Sequence, residues 1–281
     1  MTQSIDIDKI SDVLVDVAAT YILPRYNALT SGQIDTKSGP NDLVTIADTE
    51  AEEALVRILP DLYPGSIVIG EESISSGKAT LGPLKEAGKM VWVVDPVDGT
   101  YNFVHGKREF AVMLACVMDG EIRAGWIYDI LGERTMTMEK GAGAYFEGRR
   151  LNLTNRNDAI NATGHIGKKY FPKEMRAHLE EQRDKVKQFY SLSCAAHEYI
   201  NLATGKADFG VYSRIKPWDH LAGVLAVTEA GGVIAKWDSS VYHPSDDFGG
   251  LLVASHDALL HQIDAIFIKP ILEDIILKYG K

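Results

Sequence analysis

The chain has 281 residues, 46% hydrophobic and 24% charged, with a formal net charge of −10. This is the composition of an ordinary globular protein with room for one large domain or two packed ones, and its acidic balance without a long basic run excludes nucleic acid or an anionic membrane surface as the main partner. No signal-like N-terminal segment and no apolar run of membrane-spanning length occurs, and Cys116 and Cys194 sit among small or apolar neighbours as buried thiols rather than a bridge, so a cytoplasmic location is expected.

Residues 6–23 place Ile10, Val13, Leu14, Val17 and Tyr21 on one helical face, and Pro24 ends or kinks the pattern. Residues 36–48 begin as a turn-rich loop holding Lys37 and become a helix through Val44, Ala47, Ala51, Leu55 and Ile58; Asp48 falls early in it, where the helix dipole favours a carboxylate. Residues 66–73 form an apolar strand that ends in Gly70, Glu71 and Glu72, and residues 75–88 read as a surface loop with room for a hairpin or a lid. Met90 to Val94 is a nearly continuous apolar run that suits a buried strand. It runs into Asp95-Pro96-Val97-Asp98-Gly99-Thr100, where Pro96 cannot serve a central ladder and Gly99 permits a sharp turn. Two carboxylates at one strand end suit Mg²⁺, and free N–H groups at Gly99 and Thr100 suit a phosphate; a plain turn with solvated acids fits the same residues.

Residues 110–117 and 121–130 read as strands joined by the turn Asp119-Gly120, and 134–140 and 143–146 continue the meander to Glu147-Gly148, with Arg149 and Arg150 as edge charges. Beyond about residue 150 strands and helices alternate, which places a domain boundary there: 1–150 an α+β unit, 151–281 an α/β unit. Residues 159–164 are read as a strand, 173–188 as a charged helix, 193–203 as a helix closed by Gly205, and 208–212 as a strand. His197 is read as a packed or capping histidine. The helix after Lys216-Pro217-Trp218 carries Asp219 at its start, either as an N-cap or as a metal carboxylate brought to a site between the halves. Strands at 233–237 and 251–254 and helices at 256–266 and 270–279 complete the chain.

Four pieces stand in a fixed order: residues 42–48 (Asp42 to Asp48), residues 70–73 (Gly70-Glu71-Glu72-Ser73), residues 92–103 around Asp95-Pro96-Val97-Asp98-Gly99-Thr100, and Trp218-Asp219 followed by Thr228-Glu229-Ala230-Gly231-Gly232. Together, over roughly residues 35–255, they resemble the inositol monophosphatase family of the lithium-sensitive, magnesium-dependent phosphatases. The resemblance implies a layered α-β-α-β-α sandwich of the sugar-phosphatase type, usually a homodimer, that hydrolyses a small phosphate monoester. By position, Glu71, Asp95 and the Val97 carbonyl would hold a first Mg²⁺, Asp95, Asp98 and Asp219 a second, and Glu71 a weaker third. Gly99 and Thr100 would bind the phosphate, Thr100 with Asp48 would orient the attacking water, and no phosphoenzyme is expected. The start of the helix at Cys194 and Ala195 matches a substrate wall.

One departure bears on substrate. Inositol-specific members usually carry a Glu seven positions before the Trp-Asp aspartate; here that position is Tyr212, with Arg214 close behind. Inositol 1-phosphate remains the leading substrate, with histidinol phosphate, fructose 1,6-bisphosphate and 3′-phosphoadenosine 5′-phosphate as alternatives. A non-catalytic metal-binding regulatory protein is the rival from another class.

Overall fold

Strand β4 (Met90–Asp98) is buried along its whole length, and its side chains divide by alternation. Met90, Trp92 and Val94 face one apolar cluster, whereas Val91 and Val93 face another. A strand buried on both faces must lie between two other layers. In the computed structural model, which describes residues 4–37, 43–154 and 158–272, it is the second strand of a seven-stranded sheet. The sheet runs β3 (Ile67–Gly70), β4, β5 (Ala111–Met118), β6 (Glu121–Asp129), β7 (Arg134–Glu139), β8 (Gly143–Phe146) and β9 (Arg149–Arg150). β3 and β4 are parallel and the rest is an antiparallel meander. Its turns at Asp119-Gly120 and Glu147-Gly148 have positive φ at both residues, as two-residue hairpins require.

On one face, α1 (Ile7–Val17) and α2 (Ile46–Leu62) cover Trp92, Trp126 and Leu114. On the other lie α6 (Ala195–Ala203) and α7 (Pro217–Glu229). α7 is apolar around most of its circumference because a second sheet covers its far side. At Gly223 a Cβ would stand 2.1 Å from the Tyr199 ring, so glycine sets the approach of α6 to α7. The second sheet has the order β11 (Gln188–Tyr190), β10 (Thr163–Ile166), β12 (Phe209–Tyr212), β14 (Leu251–Ala254), β13 (Val233–Lys236). Its outer face buries Phe209, Val211 and Leu252 against α5 (Lys173–Glu181) and α8 (Asp257–Phe267). Helix, sheet, helix, sheet and helix therefore stack in five layers, as the resemblance implies.

Several boundaries differ from the sequence reading. Val44 lies not in a helix but in β2 (Leu43–Thr45), which pairs with β1 (Ile34–Thr36) before Thr45 caps α2. β4 continues past Pro96, which sits in a bulge rather than ending the strand. The region 75–88 holds a 3-10 turn, Gly82–Lys85, that anchors Leu84 in the core, with no hairpin. Helix α5 stops at Glu181, and the rest of the segment read as helix becomes a 3-10 turn and β11. The 159–164 segment splits into a 3-10 turn (Ala159–Asn161) and β10. Asp42 and most of the terminal helix expected at 270–279 lie outside the described residues.

Candidate active site

Three separate segments end at one cleft of about 330 Å³. Glu71 opens α3 (Glu71–Ser75) directly after β3, Asp95 and Asp98 close β4, and Asp219 sits in the first turn of α7, beyond Pro217. Carboxylate oxygens of Glu71, Asp95 and Asp219 lie within 4.8 Å of one another. Asp98 and Val97 border the same cleft, as do Gly99 and Thr100 at the head of α4 (Thr100–Val104), Cys194 and Ala195 at the head of α6, and Tyr212 and Arg214 after β12. Asp48 stands behind the wall, reached through Thr100.

The end of β4 is shaped by its sequence. Asp95 pairs with Met113 but Asp98 with Ala111, so β4 carries one extra residue there, at a bulge where Pro96 lacks nothing that the ladder needs. The Val97 amide donates to Asp95 Oδ1 at 3.0 Å, fixing that side chain. Gly99 then turns with φ 88°, and a Cβ there would stand 2.7 Å from the Glu109 carbonyl oxygen. Asp98 reaches across the chain: its Oδ2 accepts from the Ala196 amide at 2.6 Å and from Cys194 Sγ at 3.0 Å, which ties the end of β4 to the head of α6. On the Asp48 side, Oδ2 accepts from the Thr45 amide at 2.8 Å and the Thr45 hydroxyl at 2.6 Å, a reciprocal helix cap. Asp48 Oδ1 lies 3.1 Å from the Thr100 hydroxyl, which is also 3.0 Å from the Val97 carbonyl.

The acids are crowded. Burial, then the charges of Glu71, Asp98 and Asp219, push Asp95 well above the usual carboxylate range, and burial with Glu71 and Asp98 does the same to Asp219. Burial also raises Asp98 against the bonds from Cys194 and Ala196, and lifts Asp48 to about 6 against those from Thr45. Like charges this close cannot all ionise without a countercharge. A set of hard carboxylate oxygens at this spacing fits an oxygen-loving dication such as Mg²⁺. Lys37 supplies part of the countercharge, with Nζ 2.8 Å from Glu71 Oε1 and 2.6 Å from Glu72 Oε1. Burial alone would lower the Lys37 pKa, but the two glutamates outweigh it and raise it. A larger depression of about 1060 Å³ is lined by Glu52, Glu53 and Glu72 but not by the Glu71, Asp95 and Asp219 group that could hold a cation, which lines the smaller space.

The model of the inositol monophosphatase family matches residues 6–267. The chain belongs to the inositol monophosphatase family. It is 32% identical over 239 residues to the inositol-1-monophosphatase of Bacillus subtilis, covering 83% of this chain and 86% of that one. It is 31% identical over 201 residues to the fructose-1,6-bisphosphatase/inositol-1-monophosphatase of Thermotoga maritima, covering 72% and 74%. The solved structure of a Thermotoga maritima IMPase superposes with a TM-score of 0.81 at 26% identity, covering 95% of this chain and 98% of that one. As a member of the inositol monophosphatase family the chain is a phosphatase, and no helix among its described residues is long and apolar enough to cross a membrane.

Within this inositol monophosphatase fold, three site residues had no signal of their own in the sequence. Glu52, buried on α2, accepts from the Glu72 and Ser73 amides at 2.8 Å each and so sets the start of α3. Asn102 ties α4 to the carbonyls of Glu109 at 2.7 Å and Leu192 at 2.8 Å. Glu198 lines the cleft from α6. His197, by contrast, lies outside the cleft lining, buried with Nε2 3.6 Å from Asp129 Oδ1.

Proposed function

We propose that the protein hydrolyses a small phosphate monoester, with inositol 1-phosphate the leading substrate, in a reaction that needs Mg²⁺. The observation that carries this reading is the meeting of Glu71, Asp95 and Asp219, from three distant segments, beside the chain reversal at Gly99. Glu71, Asp95 and the Val97 carbonyl would hold one Mg²⁺, Asp95, Asp98 and Asp219 a second, and Glu71 would share in a third. When bound, these ions neutralise the phosphate, lower the pKa of a water and stabilise the departing oxygen. The Gly99 and Thr100 amides hold the phosphate oxygens, with Cys194 and Ala195 as a wall. Thr100 has one hydroxyl proton and two acceptors at hand; with the Val97 carbonyl taken as a ligand, that proton goes to Asp48, and the Thr100 oxygen is left to accept from and aim the attacking water. Burial and the Asp98 charge push the Cys194 thiol pKa up, which disfavours Cys194 as a nucleophile, and a metal-activated water takes that role in this reading. Homodimer formation and lithium sensitivity belong to the same reading.

A second substrate reading has support at the rim. Arg214 lies over the Tyr170 ring at 4.9 Å and Lys169 Nζ at 4.7 Å, two cations at the mouth that suit an ester with a second anionic group such as fructose 1,6-bisphosphate. The same cations disfavour the ammonium of histidinol phosphate. The test is phosphate release from a panel of these esters and 3′-phosphoadenosine 5′-phosphate, with Mg²⁺ present, chelated, and challenged by Li⁺. Fast Mg²⁺-dependent turnover of inositol 1-phosphate is the expected result. Release from no ester would overturn the catalytic reading in favour of a metal-binding regulatory role.

A further inference from the structure

The first turn of α7 carries Asp219, yet the N-cap residue, Lys216, gives that turn no side-chain bond. Another device holds it. His220, next in sequence and 2% exposed, uses both ring nitrogens. Nε2 lies 2.8 Å from the Arg214 carbonyl oxygen, and Nδ1 lies 2.8 Å from the Tyr199 hydroxyl on α6. A carbonyl oxygen only accepts, so Nε2 carries the ring proton. Burial lowers the His220 pKa to about 4, which keeps the ring neutral and lets Nδ1 accept from the Tyr199 O–H. The Nε2 bond closes the turn that enters α7, and the Nδ1 bond ties α7 to α6.

Two positions of α7 build this joint. His220 and Gly223 stand three apart and share one helix face. A Cβ at Gly223 would stand 2.1 Å from the Tyr199 ring, so the ring lies across Gly223 and its hydroxyl reaches His220. The Tyr212 ring backs both, stacked on Tyr199 at 5.5 Å and edge-on to His220 at 4.9 Å. Three residues before Tyr199, the Ala196 amide donates to Asp98 Oδ2 at 2.6 Å. One helix, α6, therefore grips Asp98 at the end of β4 and, through Tyr199 and His220, the turn that bears Asp219.

We propose that Tyr199 and His220 are positioning residues for the second Mg²⁺: their bond fixes the first turn of α7 against α6 and so sets the Asp219 carboxylate relative to Asp98. They bond to each other and to the Arg214 carbonyl, and act on the ion only through Asp219. Mg²⁺ takes its oxygen ligands at about 2.0–2.1 Å in a strict geometry, so a carboxylate at the start of a helix can serve it only if that start is held still. Loss of such supporting partners typically weakens metal binding about 10–100-fold. This inference rests on the reading of Asp98 and Asp219 as Mg²⁺ ligands.

The test is calorimetric titration of Mg²⁺ into the wild type, Tyr199→Phe, His220→Gln and the double variant, with thermal unfolding of each in the absence of Mg²⁺. Tyr199→Phe keeps the ring over Gly223 and removes only the hydroxyl. His220→Gln keeps a donor for the Arg214 carbonyl but not the rigid ring that receives Tyr199. Each single variant is expected to bind Mg²⁺ roughly tenfold more weakly. The double variant is expected to bind no more weakly than the worse single one, because both substitutions break the same bond. Tyr199→Phe with wild-type Mg²⁺ affinity, even at a lower unfolding temperature, would reduce the bond to a core contact and overturn the proposal while sparing the metal reading. Losses that add in the double variant would overturn it as well. If His220→Gln does not fold, Tyr199→Phe alone decides. A wild type that binds no Mg²⁺ would overturn the metal reading and this inference with it.

Discussion

Thr100 and Asp48 show how much of the proposed chemistry rests on one hydroxyl. The Asp48 carboxylate must be ionised to take the Thr100 proton, and burial lifts it to about 6. Activity therefore has an acid limb: kcat/KM falls as pH drops through about 6 and below, and the limb moves to lower pH as Mg²⁺ is raised, because nearby cations favour the charged carboxylate. Thr100→Val lowers kcat by about 10²–10⁴-fold, the usual span for losing such a group, whereas Thr100→Ser retains the limb. A pH–rate profile of the three proteins checks this, and a wild-type rate that holds flat down to pH 4.5 would count against Asp48 as the acceptor.

At the scale of elements, the short helix α3 carries Glu71 and cannot be stable alone, since five residues are too few to nucleate a helix. Glu52 holds it from α2 by accepting two of its first amides, and Gly70 leaves the space, because a Cβ there would stand 2.0 Å from the Glu52 carboxyl carbon. Glu52→Gln keeps the shape but can accept with only one oxygen. We expect about 1–2 kcal/mol lower stability in denaturant unfolding and a several-fold higher Mg²⁺ requirement, with an unaltered Mg²⁺ titration as the contrary outcome. The sequence made the β4 end legible because Asp95-Pro96-Val97-Asp98-Gly99 states its own turn, but Glu52 was not, since its partners lie about 20 residues away on another element. The β1–β2 pair escaped notice because three-residue strands carry no periodicity to read. In the 173–188 segment the charged run hid the point where Val186 and Phe189 leave the helix to enter the core beside β10.

At the scale of the whole molecule, Asp129 joins layers that the chain order separates. Fully buried at the end of β6, it accepts from Arg134 at 2.6 Å and Arg108 at 3.2 Å and faces His197 of α6 at 3.6 Å. Burial alone would raise its pKa, but Arg134, His197 and Arg108 outweigh that and hold it below the usual range. A depressed folded-state pKa means that its contribution is present above the unfolded carboxylate pKa and is lost as pH falls through the folded value. Asp129→Asn should therefore lose about 3 kcal/mol at neutral pH, and the gap to the wild type should close in strong acid; a gap independent of pH would contradict the ion-pair account. The five layers were legible only through the family resemblance that the motifs carry, whereas the reach of Asp98 to α6, across about 98 residues, was not, because only the finished fold brings them together. The most direct test of the account is calorimetric titration of Mg²⁺ into the wild type, Asp95→Asn and Asp219→Asn, with thermal unfolding to confirm that each is folded. Saturable binding in the wild type, weakened at least roughly tenfold in both variants, is what a shared site from β4 and α7 predicts, as one lost ligand of a cation forfeits about 1.4 kcal/mol or more. Equal binding in all three proteins, or none in the wild type, would contradict it.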